Sequence, residues 1–371
     1  MMDQFEYDAI VLDTSTFDTN GLRLEKGLLG KLGQFKKSPV DIIIPDVIRG
    51  ELKTHLERKI KEVRSSLEKS IKDAGSHIIL QETQLNTIEI LIPNASQAEE
   101  LADKRIQDFI DETGAIELEC GKYVNISEIL KKYFENLPPF SETGKKKSEF
   151  PDAIALTALE NWASANNKHI LTISRDSDWR KFGESSERIT NIEELSDALA
   201  LFNRPNAPYA FLAKLEEALD AGTAMSFIKS LESGLSSTLD GFTPDQYAEC
   251  YLSWEPEGSN GWFTGVDLDG NEFRLIEQTD DYIVLEAEAT IRFEAEGEFT
   301  LSVRDSIDGD YIPLSYVTAT TEGEFESKIL ITVTGNIEGD LDKLEIDGVE
   351  ILSIPRTVNF GTLEPDFRDD D

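Results

Sequence analysis

Apolar residues in the first 200 positions fall into two patterns. Residues 7–12, 41–44 and 169–174 are short, β-rich apolar runs of strand length. Ile48, Leu52, Leu56, Ile60, Val63, Leu67 and Ile71 instead recur every three or four positions, which predicts a long helix whose first turn begins at Pro45. Further helices are expected over 97–111 and 126–136. Another starts at Pro151 with Ile154, Ala155, Leu159 and Trp162, and a closing one covers 192–202. Strands alternating with helices predict an α/β N-terminal domain, a parallel sheet covered by helices, over residues 1–205.

The pattern changes after the segment Asn203-Arg204-Pro205-Asn206-Ala207-Pro208. Residues 206–245 read as a helical connector, and 246–371 as a mainly β, sandwich-like or small open-barrel C-terminal domain. Leu285, Ala287, Ala289, Ile291, Phe293 and Ala295 alternate with Glu286, Glu288, Thr290, Arg292, Glu294 and Glu296. This period of two predicts a half-buried antiparallel strand with a solvated acidic face. Asp269-Gly270, Asp308-Gly309 and Asp347-Gly348 have the composition of hairpin turns.

Charge divides the chain at the same place. The 371 residues carry −37, of which residues 1–200 hold −10 (36 acids, 26 bases) and residues 201–371 hold −27 (37 acids, 10 bases). A surface this acidic repels phosphates, so any nucleic acid is expected on the first domain, and a basic protein is the partner suited to the second. Homo-oligomerisation stays open. Two cysteines, Cys120 and Cys250, 130 positions apart, make neither a disulfide scaffold nor a four-thiolate zinc site, so a cytoplasmic setting is expected. Apolar runs are too short to span a bilayer, and no membrane association or signal peptide is read.

Candidate chemistry lies at the ends of the predicted elements. Asp13 closes the first strand, and Glu51 lies in the first turns of the long helix. Asp152 follows Pro151, and Asp176 and Asp178 follow the strand at 169–174. In an open parallel sheet, sites form beyond the carboxyl ends of the strands and at adjoining helix N-termini, so these acids can share a pocket. Clustered carboxylates need compensating charge, which a hard divalent cation with oxygen ligands supplies. Taken singly, each acid also suits a turn, a helix start or a solvated helix face.

Leu12-Asp13-Thr14-Ser15, Ile44-Pro45-Asp46-Val47-Ile48-Arg49-Gly50-Glu51, Phe150-Pro151-Asp152-Ala153-Ile154-Ala155 and Ile173-Ser174-Arg175-Asp176-Ser177-Asp178-Trp179 together resemble the PIN domain family, over roughly residues 5–200. The long segment between Glu51 and Asp152 is similar to the larger variants of the family. The resemblance implies a Rossmann-like parallel sheet and a Mg²⁺ or Mn²⁺ centre made of Asp13, Glu51, Asp152 and Asp176, with Asp178 as an accessory acid. It also implies hydrolysis of phosphodiesters, most often in RNA. Ser15, which stands where the family often has Asn, and Ser174 are candidates to orient a liganding carboxylate by hydrogen bonds. Lys145, Lys146 and Lys147, just before Asp152, are candidates for phosphate contacts. A metal-dependent endoribonuclease is the favoured reading, while an inactive scaffold of the same fold and a DNA or flap nuclease are the alternatives. His55, His77 and His169 are too scattered for a zinc site, and no P-loop sequence occurs.

Overall fold

The computed structural model describes residues 6–77, 97–140, 149–203, 209–268, 270, 272–305, 310–335, 341 and 344–365. The chain divides into two compact units, residues 1–202 and 203–371.

The first unit is built on a five-stranded sheet of β1 (Ala9–Leu12), β2 (Asp41–Pro45), β3 (Ile116–Leu118), β4 (Ile170–Ile173) and β5 (Ile189–Ile192). Its order is β3-β2-β1-β4-β5, and every pairing is parallel. Every residue of β1 and β4 is buried, as expected for central strands covered on both faces. The helices are α1 (Thr14–Thr19), α2 (Gly27–Gly30), α3 (Asp46–His77), α4 (Ala98–Thr113), α5 (Ile126–Glu135), α6 (Phe150–Asn166), α7 (Ser177–Ser185) and α8 (Leu195–Asn203).

Pro45 ends β2 instead of opening α3, so the helix starts one residue later than expected. The two short outer strands, β3 and β5, carry weak patterns of their own: two of the three residues of β3 are exposed. Helix ends follow local chemistry. Asn125 caps α5 by accepting from the Ser127 N–H at 2.9 Å, and α5 and α6 end at Asn136 and Asn167 in the left-handed conformation. Lys53 of α3 bonds Glu99 and Asp103 of α4 at 2.8 and 2.7 Å, tying the two helices together.

In the second unit, α9 (Tyr209–Asp220) and α10 (Met225–Leu239) precede β6 (Asp245–Glu249), β7 (Ser253–Leu268), β8 (Arg274–Gln278), β9 (Tyr282–Arg304), β10 (Tyr311–Thr334), β11 (Glu345–Ile351) and β12 (Thr357–Thr362). The large sheet runs β11-β10-β9-β7, with β8 also paired to β9, all antiparallel. The unit is therefore mainly antiparallel β. Its covering layer has two parts. Phe211, Leu215, Phe227, Leu231 and Leu235 of the helices pack on Leu285, Ala287, Ile331 and Val333 at one end. Val358 and Phe360 of the parallel β12-β6 pair pack on Phe293, Phe299 and Leu301 at the other. The helical segment expected as a connector thus buries its apolar face in the core of the second unit.

Two expectations fail in this unit. Asp347-Gly348 is no hairpin turn: it lies within β11, where Gly348 pairs with Thr332 and Ile346 with Val333, leaving Asp347 as a bulge. Glu286 is not solvated but 2% exposed, because Arg274 and Lys328 on the flanking strands bring cations to it at 3.3 and 3.5 Å. Asp269, Asp308 and Gly309 of the other turn pairs lie outside the described residues.

Candidate metal centre

The strand order reverses direction between β1 and β4, and the ends of these two strands carry the central acid. Asp13 follows β1 directly as the N-cap residue of α1, in extended conformation, and is 6% exposed. Its Oδ2 accepts hydrogen bonds from the Ser15 hydroxyl and, at 2.8 Å, from the Ser174 hydroxyl at the end of β4. Ser174 Oγ in turn accepts the Asp176 N–H at 3.0 Å. One fully buried serine therefore links the acid of β1 to the loop carrying the acid after β4. Thr16 Oγ1 donates to the Ile173 carbonyl at 2.7 Å, and Asn191 Nδ2 to the Ser174 carbonyl at 3.0 Å, which fixes this corner from both sides.

The other acids come from helix starts. Glu51, half-buried in the second turn of α3, accepts from the Thr14 hydroxyl at 2.9 Å. Asp152, in the first turn of α6, accepts from the indole N–H of the fully buried Trp179 at 2.9 Å. Asp176 caps α7 by accepting from the Asp178 N–H at 2.8 Å.

Electrostatics shows which acids face one another. Burial pushes the Asp152 carboxyl up to about 7. The Trp179 hydrogen bond opposes this, and the negative charges of Asp13, Glu51 and Asp176 add to it. Asp13 is also raised, first by burial and further by Asp176, against the hydrogen bonds of Ser15 and Ser174. The fold thus brings Asp13, Glu51, Asp152 and Asp176 within electrostatic reach of one another. Asp178 forms an ion pair with Lys181 at 3.3 Å. Among the described residues no Lys, Arg or His pairs with any of the four.

Oxygen donors without a cation of their own are the chemistry that a hard divalent ion requires. Among the described residues no three or more His, Cys, Asp or Glu side chains stand so that, as oriented, they could hold a metal ion. In chemistry, though not in their present arrangement, the oxygen donors are of the type that suits such an ion. Lys145, Lys146 and Lys147 lie outside the described residues.

Two supporting side chains went unassigned in the sequence reading. Trp179 stands in a motif already noted, and a buried indole needs an acceptor, so its bond to an acid was foreseeable as a type but not as a partner. Thr14 offered no signal beyond its place next to Asp13. Cys120 is a buried thiol, pushed up to about 12 chiefly by burial, and it carries no nucleophilic chemistry.

No curated protein and no solved structure matches the chain. A family model does match, over residues 10–179, from within β1 to Trp179, and its description is PIN domain. Residues 10–179 of the first unit are therefore similar to the PIN domain, a nuclease-type fold whose members typically use divalent metal ions.

Proposed function

We propose that the protein is a divalent-metal-dependent endoribonuclease acting through Asp13, Glu51, Asp152 and Asp176. The observation that carries this reading is the pair of buried carboxylates Asp13 and Asp152 at the strand-order switch, both raised by burial and by neighbouring acids that include Asp176, with no Lys, Arg or His paired to the four acids among the described residues. These residues would hold Mg²⁺ or Mn²⁺, which supplies Lewis acidity to a scissile phosphate and an attacking water. The chain's own part is to orient the ligands. Ser15 and Ser174 fix one oxygen of Asp13, Thr14 fixes one of Glu51, and Trp179 fixes one of Asp152, leaving the remaining lone pairs for the ion.

The acidic second unit, at −27, is no surface for a polyanion and suits a basic protein partner. Two free cysteines accord with a cytoplasmic protein. Incubating the full chain with mixed single- and double-stranded RNA and DNA, with Mn²⁺ or with chelator, tests the activity. RNA cleavage is expected only with the ion, and both Asp13→Asn and Asp152→Asn should reduce it to background. Undiminished cleavage by both variants would sink the assignment, and cleavage confined to DNA would replace the substrate.

A further inference from the structure

The long helix α3 extends well beyond Glu51, and its outer part has a feature that the metal centre does not use. A groove of about 850 Å³ runs along it, lined by Thr54, Arg58, Lys61, Ser65, Ser66 and Lys69, together with Glu57 and Glu62. With 3.6 residues per turn, Arg58, Ser65 and Lys69 all fall within about 40° of Glu51 around the helix axis. At 1.5 Å per residue, Arg58 stands roughly 10 Å beyond Glu51 and Lys69 roughly 27 Å beyond it. Leu52 and Leu56 are buried on a different side of the helix, so the groove looks away from the core.

We infer that this face of α3 is a track for the phosphodiester backbone of single-stranded nucleic acid, leading the strand to the four carboxylates. The inference rests on the nuclease reading for the role of the track, but its chemistry is independent of it. Between Thr54 and Lys72 the helix has six bases and three acids, a local +3 in a chain of −37. Lys61 pairs with Glu57 at 2.5 Å and Arg64 pairs with Glu68. Arg58, Lys59 and Lys69 make no ion pair among the described residues, so their charge is available to an incoming anion.

Arg58 and Lys69 are exposed and held about 17 Å apart by the helix, a spacing that meets separate phosphates of one strand rather than a single one. The hydroxyls of Ser65 and Ser66, between them, add neutral donors of the kind that contact phosphate oxygens. Glu62, on the same face, limits the attraction and keeps it to discrete contacts. Recognition of this type follows the backbone and is indifferent to base sequence. A strand laid along the groove has one end at Glu51, beside the other acids of the site.

The test is the affinity of the full chain for a fluorescein-labelled oligouridylate of about 20 nucleotides, measured by anisotropy in chelator across a salt series. Three variants are compared: Arg58→Glu/Lys69→Glu, Arg58→Ala/Lys69→Ala, and Arg356→Glu as a control in the second unit, each checked for an unchanged melting temperature. The charge reversal should lower affinity at low salt by tenfold or more. The alanine pair should flatten the slope of log affinity against log salt by about 1.4, since each single-strand phosphate contact contributes about 0.7. The control should match the wild type. Wild-type affinity and slope in both α3 variants would overturn the track, as would a wild type without affinity for the strand. A chain that binds through α3 yet cleaves nothing with Mn²⁺ would defeat the nuclease reading and leave the track standing. Cleavage by a wild type whose α3 variants bind unchanged would do the reverse.

Discussion

Asp152 in the first unit and Glu286 in the second are both acids withdrawn from water, and the chain surrounds them in opposite ways. Glu286 lies in the middle of β9 with Arg274 and Lys328 on the neighbouring strands, so its charge is met inside the protein. Asp152 has an indole N–H and three further acids. A buried acid with its own cations is part of the architecture. One surrounded by acids is relieved only by a proton or by a cation from outside. On the proposed function, the difference separates a structural carboxylate from a ligand-binding one.

The sharpest way to break this comparison is to neutralise each acid at constant shape. Glu286→Gln should destabilise the second unit by about 2–3 kcal/mol, because it leaves two cations facing a group that no longer balances them. The loss is kept to that range because Arg274 and Lys328 are partly exposed and regain water. Denaturant unfolding checks it, and a stabilised variant would mean that Glu286 is as uncompensated as Asp152.

Ion binding should act on the first unit alone. Mn²⁺ at a hundred times its dissociation constant should stabilise the wild type by about 2.7 kcal/mol and Glu286→Gln by the same increment. Asp13→Asn should show almost none of it. An equal response in Asp13→Asn, read as a melting shift, would place the ion elsewhere.

Ser174→Ala removes a hydroxyl that donates to Asp13 and accepts from the Asp176 N–H. Its cost should appear as a 10–100-fold weaker ion affinity by calorimetry, with the fold retained. An unchanged affinity would reduce Ser174 to a packing residue.

The smallest effect concerns pH. The folded-state carboxyl of Asp152, at about 7, lies above its unfolded value near 3.8, so the native state holds the proton more tightly. The associated stability is fully present below about pH 4 and is lost as pH rises through about 7. Asp152→Asn has no such loss. In chelator it should therefore match the wild type near pH 4 and be the more stable of the two at pH 8. A gap that instead widens toward acid would show that Asp152 is stabilised as a carboxylate.

Much of the first unit was legible in the chain because its signals are local. A run of apolar β-branched residues makes a buried strand, and apolar residues three or four apart make a helix, wherever the chain then goes. Asp13, Glu51 and Asp152 could be named because they sit at element ends, and element ends at one edge of a parallel sheet converge. The same local reasoning fails where partners come from afar. Glu286 belongs by alternation to a solvated face, and only its register beside Arg274 makes it buried.

What the sequence alone determined here is the division into an α/β unit and a β-rich one, the residues available to the site, and the charge contrast between the halves. Tertiary structure decided the pairing. Asp176 and Asp178 are two residues apart and chemically identical. Yet Asp176 faces the acids of β1 and α6, while Asp178 turns to Lys181. Trp179 reaches back 27 positions to Asp152, and Ser174 spans 161 positions to Asp13. Local preferences set which residues stand at the end of a strand or helix. Which of them meet depends on strand order and register, and these are fixed only when the whole sheet closes its core.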